Sequence, residues 1–270
     1  GSRRGSVLGH GRSGVTRPDG RERRRVGLQV CGKACAAGTF TGSGLRENGS
    51  RCRADHERRI AHRRQRAALS RLADRALRVR TTPAPPGGPL TPVDPAVLAT
   101  LPTGWLTLWR VFRWLDPEPD DVLLDVGSGA GRAAFVASLF PFRRVVGLEL
   151  SADAHRLAEI NRRRFRLAAR EKISFVLADA AGYGLPDDVS VVFLYNPFGR
   201  EVLSELMRSI FESLARSPRH LTVVYVNPVH HDLLLATGRC RLVKRFRGLR
   251  PTPEWARTLA THVYTVGAAP

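Results

Sequence analysis

Between residues 121 and 226, apolar runs rich in Val, Leu and Ile recur at regular intervals, with stretches of helical spacing between them. The runs at 121–126, 144–150, 173–178, 189–195 and 221–226 are mainly apolar and rich in β-branched residues. Strands covered on both faces have that pattern, so these read as buried parallel strands. The intervening stretches 131–140, 152–169 and 202–215 predict helices, and 231–237 a short one. Two later runs, 242–246 and 258–266, look like closing strands. The last alternates apolar and polar positions, as an antiparallel strand would. Strand–helix alternation of this kind predicts an α/β fold with a doubly wound, mostly parallel seven-stranded sheet and an antiparallel last strand.

The chain before this region is different. Residues 1–53 are rich in Gly, Ser and Arg, with few apolar positions and no period, and are expected to form a disordered basic arm. From 54 to 80, Ile60, Ala61, Ala68, Leu69, Leu72, Ala73, Ala76 and Leu77 fall at helical spacing with arginines between them. That predicts a basic amphipathic helix packed on the main domain with its arginines in solvent. Residues 81–102 form a Pro/Gly-rich linker, and an apolar helix follows at 104–115 with Trp105, Trp109 and Trp114. The main domain is placed at 103–270.

Charge sharpens this division. The net charge of +20 suggests a nucleic-acid binder, but residues 1–80 hold 21 Lys+Arg against 6 Asp+Glu, and residues 81–270 hold 23 against 18. The basic excess therefore belongs to the arm and first helix, which would contact a polyanion without identifying it. No apolar run is long enough to cross a membrane, and the first residues do not read as a secretory signal. The chain begins with Gly, and its one methionine is Met207, so it reads as a fragment, a tagged chain or a translation begun upstream of the true start. The 4 cysteines do not make a disulfide scaffold, and a cytoplasmic location is expected. Cys31, Cys35, Cys52 and His56 could offer four zinc ligands, but the sequence around them lacks core residues. Free thiols and no metal are expected.

The chemistry concentrates in the stretch Val122-Leu123-Leu124-Asp125-Val126-Gly127-Ser128-Gly129-Ala130-Gly131-Arg132. A buried strand ends in an acid, and a glycine-rich turn leads at once into a helix. In open α/β sheets, ligands bind beyond the carboxyl ends of the strands, where this turn lies. A dinucleotide fingerprint would place its third glycine at position 132, which is Arg, so a dehydrogenase is disfavoured. A second apolar strand ends in Glu149, and a third runs to Asp179.

The pattern D-x-G-x-G-x-G, followed by these two acids, resembles the class I S-adenosylmethionine-dependent methyltransferases, a Rossmann-like domain. The resemblance covers Thr103 to Val266. It implies that Asp125 and the loop Gly127, Ser128 and Gly129 hold the methionine part of S-adenosylmethionine, while Gly131 permits close helix packing. It also implies that Glu149 binds the ribose and that Asp179, or the backbone beside it at Ala180, binds the adenine. The family's sheet order makes the last strand antiparallel.

On the acceptor side, the fourth strand runs into Asn196-Pro197-Phe198-Gly199. This looks like a shortened form, with one proline in place of two, of the N-P-P-Y/F motif of amino-group methyltransferases. Through that likeness Asn196, Pro197 and Phe198 are the catalytic candidates, with a nitrogen as acceptor. A strand-to-helix turn shaped by Pro197 and Gly199 explains the same residues. His230, His231, Tyr195 and Tyr183 are further candidates for a base. Protein, nucleic acid and small molecule all remain open as acceptors. A reading of a different class is a nucleic-acid-binding protein using a methyltransferase-like scaffold with a basic arm.

Overall fold

The computed structural model describes residues 68–82, 103–195, 199–247 and 260–267. After a helix whose described part is 68–77 (α1) come α2 (Trp105–Leu115), β1 (Val122–Val126), α3 (Arg132–Ala137), β2 (Arg144–Glu149) and α4 (Ala152–Arg164). A 3₁₀ turn (Ala168–Lys172) leads into β3 (Ile173–Leu177) and β4 (Val191–Tyr195). Then follow α5 (Arg200–Arg216), β5 (Leu221–Val226), α6 (His231–Ala236), β6 (Cys240–Phe246) and β7 (Thr261–Val266). The seven strands form one sheet in the order β3-β2-β1-β4-β5-β7-β6. Strands β1 to β5 pair in parallel, and β7 runs antiparallel to both β5 and β6. This is the doubly wound fold with an antiparallel last strand.

The sheet is covered on both faces, which explains why its runs are mainly apolar and do not alternate. On one face Leu124, Val126, Leu148, Val192, Leu194, Tyr225 and Tyr264 pack against Leu203, Leu206, Met207 and Ile210 of α5. On the other, Leu123, Val145, Phe175, Phe193, Val224 and Val263 meet α2 and α3 through Leu108, Val111, Phe112 and Phe135. The parallel strands deliver Val126, Glu149, Leu177, Tyr195 and Val226 to one edge. Because β7 is antiparallel, it begins there: Thr261 pairs with Val226, and His262 with Tyr225.

Several boundaries differ from the sequence expectation, each for a local reason. Helix α3 stops at Ala137 and not at residue 140: Leu139 and Phe140 donate instead to Val136 and Ala137, three residues back, as the chain tightens into Pro141. Helix α4 stops at Arg164 and not at residue 169. There Phe165 takes extended backbone and is fully buried against Phe135, with ring centroids 5.0 Å apart. The first helix ends before residue 80: Arg78 has a φ of 58°, and Val79 enters the core. Its contact with the domain uses only part of the apolar stripe: Leu77 packs against the core. Leu69 and Leu72 are exposed while Asp74 is buried. A polar network at Asp74 supplies the rest of that contact.

Candidate cofactor and methyl-transfer site

The loop after β1 is shaped by three glycines of positive φ: Gly127 at 75°, Gly129 at 54° and Gly131 at 89°. An L-residue is strained there, and glycine is not. The amides of Gly127 and Ser128 both donate to the Leu148 carbonyl at 2.9 Å, folding the loop back onto the end of β2. The glycines do different work. A Cβ at Gly131 would lie 2.6 Å from Phe175 and 3.0 Å from Phe135, so this position serves packing of α3 on the sheet. A Cβ at Gly129 would meet nothing within 4 Å, so that backbone faces open space.

Glu149, at the end of β2, accepts the Gly129 amide at 2.7 Å through Oε2 and the Ser151 amide at 2.9 Å through Oε1. Its carboxylate therefore bridges the glycine loop and the start of α4. Asp125 lies one strand away and is buried. Burial first, and then the Glu149 charge, push its carboxyl up to about 8, against a smaller pull from the Ala134 amide in α3. Its Oδ2 and the Ser128 Oγ are buried without a hydrogen-bond partner among the described residues. Buried groups of this kind are rare and costly, and at a loop with open backbone they fit a polar ligand.

Asp179 stands two residues beyond β3, exposed, with Oδ1 accepting the Ala181 amide at 3.0 Å, while Ala180 is buried. Leu177, the register partner of Glu149, is 51% exposed, and Leu150 is 68% exposed. Two large apolar side chains thus flank the strand-end acids in solvent. The sequence reading did not single them out, although an apolar residue closing a strand at the ligand edge was visible. Asn196, Pro197 and Phe198 lie outside the described residues. So do Cys31, Cys35, Cys52 and His56, expected to hold no metal, and residues 1–67 of the arm and first helix.

Two further clusters were not foreseen. Arg132, the first residue of α3, is buried, and burial lowers its guanidinium to about 10, so it stays charged at neutral pH. It donates to Thr81 Oγ1 at 2.7 Å, to Thr82 Oγ1 at 2.8 Å and to the Thr103 carbonyl at 3.3 Å. Asp74 faces it at 3.8 Å and accepts from the Thr81 and Thr82 amides, the Thr81 hydroxyl and the Trp105 indole. Asn161 of α4 joins the Arg80 backbone to the Ala130 carbonyl of the loop. Residues 74–82 are thereby fastened to the glycine loop.

At the same sheet edge, the imidazoles of His231 and His262 converge on the Tyr264 hydroxyl, with Nδ1 atoms at 2.6 and 3.1 Å. One hydroxyl proton can serve only one of these nitrogens, so the other ring brings its own N–H. Burial lowers both histidines, and neighbouring His231 and Arg245 help bring His262 to about 4. Burial also raises the Tyr264 phenol. The cluster is neutral at pH 7. His231 was foreseen as a candidate base; its two partners lie on the last strand, where only the fold brings them close.

No family model matches this chain, and no curated protein does. Among solved structures it is similar to an RNA methyltransferase from Salinibacter ruber in complex with S-adenosyl-L-homocysteine, at 20% identity over 63% of this chain and 96% of that one, TM-score 0.45. It is also similar to a precorrin-6y C5,15-methyltransferase from Geobacter metallireducens, at 18% identity over 63% and 91%, TM-score 0.49. A SAM-dependent O-methyltransferase from Thermotoga maritima is similar at 18% identity over 64% and 69%, TM-score 0.47. At these identities the likeness is one of fold. Among the described residues no helix is long and apolar enough to cross a membrane.

Proposed function

We propose that this chain is an S-adenosylmethionine-dependent methyltransferase that moves a methyl group by in-line displacement to an acceptor, with a nitrogen acceptor as the reading drawn from Asn196-Pro197-Phe198. The observation that carries it is the pairing of open, positive-φ backbone at Gly129 with two buried, unpartnered polar atoms, Asp125 Oδ2 and Ser128 Oγ. A cation beside Asp125 would favour its ionised form, and a cationic sulfonium ligand with an α-ammonium group suits that need. Glu149 is the residue to accept ribose hydroxyls, and Asp179 with Ala180 the pair to meet the adenine. Leu150 and Leu177 offer apolar cover for a flat ring.

When bound, the cofactor supplies a methyl group on a sulfonium already electrophilic enough to need no further activation. The protein's task is then to hold and orient. Strand β4 pairs with β1 in the register Val126 with Leu194, so Tyr195, its last residue, stands at the sheet edge on the side of the glycine loop. An amine acceptor needs no strong base, whereas an ammonium or hydroxyl does. His231, held by Tyr264, is the group that would take such a proton. The cytoplasm is the proposed compartment.

Incubation of the full chain with methyl-labelled S-adenosylmethionine and a cell lysate, separated into protein, RNA and small molecules, tests this reading and names the acceptor class. Label in one fraction, lost in Gly129→Arg, supports it. Calorimetry showing no binding of S-adenosylhomocysteine by the wild-type chain overturns it.

A further inference from the structure

Beyond α4 the chain opens a cavity of about 410 Å³, lined by Arg78, Arg163, Arg164, Phe165, Arg166 and Arg170. Arg170 pairs with Glu171 at 2.9 Å. Among the described residues no carboxylate pairs with the other four, and all four are exposed. The neighbouring acids are already engaged, Glu159 with Arg162 and Glu171 with Arg170. Uncompensated guanidinium groups gathered around one cavity repel one another, and an anion relieves that repulsion.

The gathering is built by the fold. Arg78 comes from the N-terminal segment and the others from α4 and the turn after it. The Arg80 amide donates to Asn161 Oδ1 at 2.7 Å, and Asn161 Nδ2 returns a bond of 3.1 Å to the Arg80 carbonyl. Val79, between Arg78 and Arg80, is buried, so the chain that directly follows Arg78 is pinned beside α4. Of the described residues of α1 the one acid, Asp74, is buried, so it does not neutralise Arg78.

We propose that this arginine-lined cavity binds the phosphodiester backbone of nucleic acid without selecting sequence. Guanidinium forks match phosphate oxygens in pairs, which a set of lysines would not do. The one aromatic ring of the lining, Phe165, is fully buried and offers no face on which to stack a base, so the contact is with the backbone. A membrane surface fits less well: insertion needs a broad apolar face, and this face is cationic. The cavity shares no residue with the glycine loop, and the proposal holds whether or not the chain transfers a methyl group.

Fluorescence anisotropy of the full chain with a labelled oligouridylate, between roughly 50 and 200 mM salt, tests it. Each phosphate contact on a single strand contributes about 0.7 to the slope of log K against log salt, so Arg163→Gln/Arg164→Gln/Arg166→Gln should lower that slope by about 2. Its affinity should fall tenfold or more, with melting temperature and S-adenosylhomocysteine binding as in wild type. Arg78→Gln, on the other side of the cavity, should lower the slope by about 0.7. An unchanged slope in both variants, no oligouridylate binding by the full chain, or tighter binding to phosphatidylserine vesicles than to RNA at equal salt overturns the proposal.

Discussion

The Gly129 amide donates to Glu149 Oε2 across 2.7 Å, joining the glycine loop of β1 to the end of β2. One carboxylate therefore holds the loop in shape and stands at the edge where a ligand's hydroxyls would arrive. Removing it as Glu149→Ala frees two amides, those of Gly129 and Ser151, each in a charge-assisted bond worth about 1.5–3 kcal/mol. S-adenosylhomocysteine affinity should fall at least tenfold, which is about 1.4 kcal/mol. Calorimetric titration checks this, and an affinity equal to wild type would sink the ribose assignment.

The glycines separate binding from packing. Gly131→Ala drives a Cβ to 2.6 Å from Phe175, a ring confined by Phe135, and strains a φ of 89°, so it should cost about 2–3 kcal/mol of stability. Gly129→Ala meets nothing within 4 Å and carries only the strain of its φ of 54°, about 1 kcal/mol. Its methyl group points into the space that a ligand would need. Denaturant melts should rank Gly131→Ala as the weaker fold, and titrations should rank Gly129→Ala as the weaker binder relative to its stability. The opposite ranking would refute the division.

Asp125 and stability are opposed in the ligand-free protein. Its folded carboxyl titrates at about 8, above its unfolded value, so the stability it contributes is present at low pH and lost as pH rises through 8. Asp125→Asn removes that penalty. At pH 8 the variant should melt several degrees higher than wild type, since about 1 kcal/mol corresponds to roughly 2–4 °C in a domain of this size. It should bind S-adenosylmethionine more weakly. A variant that melts lower at pH 8 and binds normally would show that the carboxylate serves structure alone.

What could be foreseen from the sequence is what is local in it. Asp125, the glycine spacing and Glu149 lie at strand ends whose apolar runs announce them, and the parallel order of β1 to β5 follows from those runs. Contacts made by the sheet order are a different matter. Asp74 and Arg132 belong to distant segments, and a helical wheel favours Leu69 and Leu72 for burial because it cannot know that a buried guanidinium waits opposite Asp74. Gly147 looks like a break in β2. Its role is plain only once a Cβ there is seen to strike Phe175 at 2.5 Å and Ser128 at 2.9 Å. His231, His262 and Tyr264 come together because β7 inserts antiparallel between β5 and β6.

Arg132 fastens residues 74–82 to the start of α3. Arg132→Met keeps the bulk and removes three donors, leaving the buried Asp74 carboxylate without its counter-charge. Breaking a buried pair from one side costs about 3–5 kcal/mol. The loss should appear first locally, as faster tryptic cleavage after Arg78 and Arg80 under native conditions, read by mass spectrometry. Cleavage there at the wild-type rate would mean that Asn161 and Val79 hold the segment unaided.

The His231–Tyr264–His262 cluster should make the fold sensitive to acid. Both imidazoles titrate below their unfolded value near 6.5, His262 at about 4. Between those values the unfolded chain binds more protons than the folded one, so stability is full above about pH 6.5 and drains as pH falls toward 4. A charged pair of rings around one hydroxyl would also repel, and Arg245 adds a third positive charge while Asp232 offsets part of it. His262→Asn removes one titrating ring and leaves a group able to reach Tyr264. Its melting temperature should fall less than that of wild type between pH 7 and pH 4.5. The two should converge toward the acid end, and parallel curves for wild type and variant would place the acid sensitivity elsewhere.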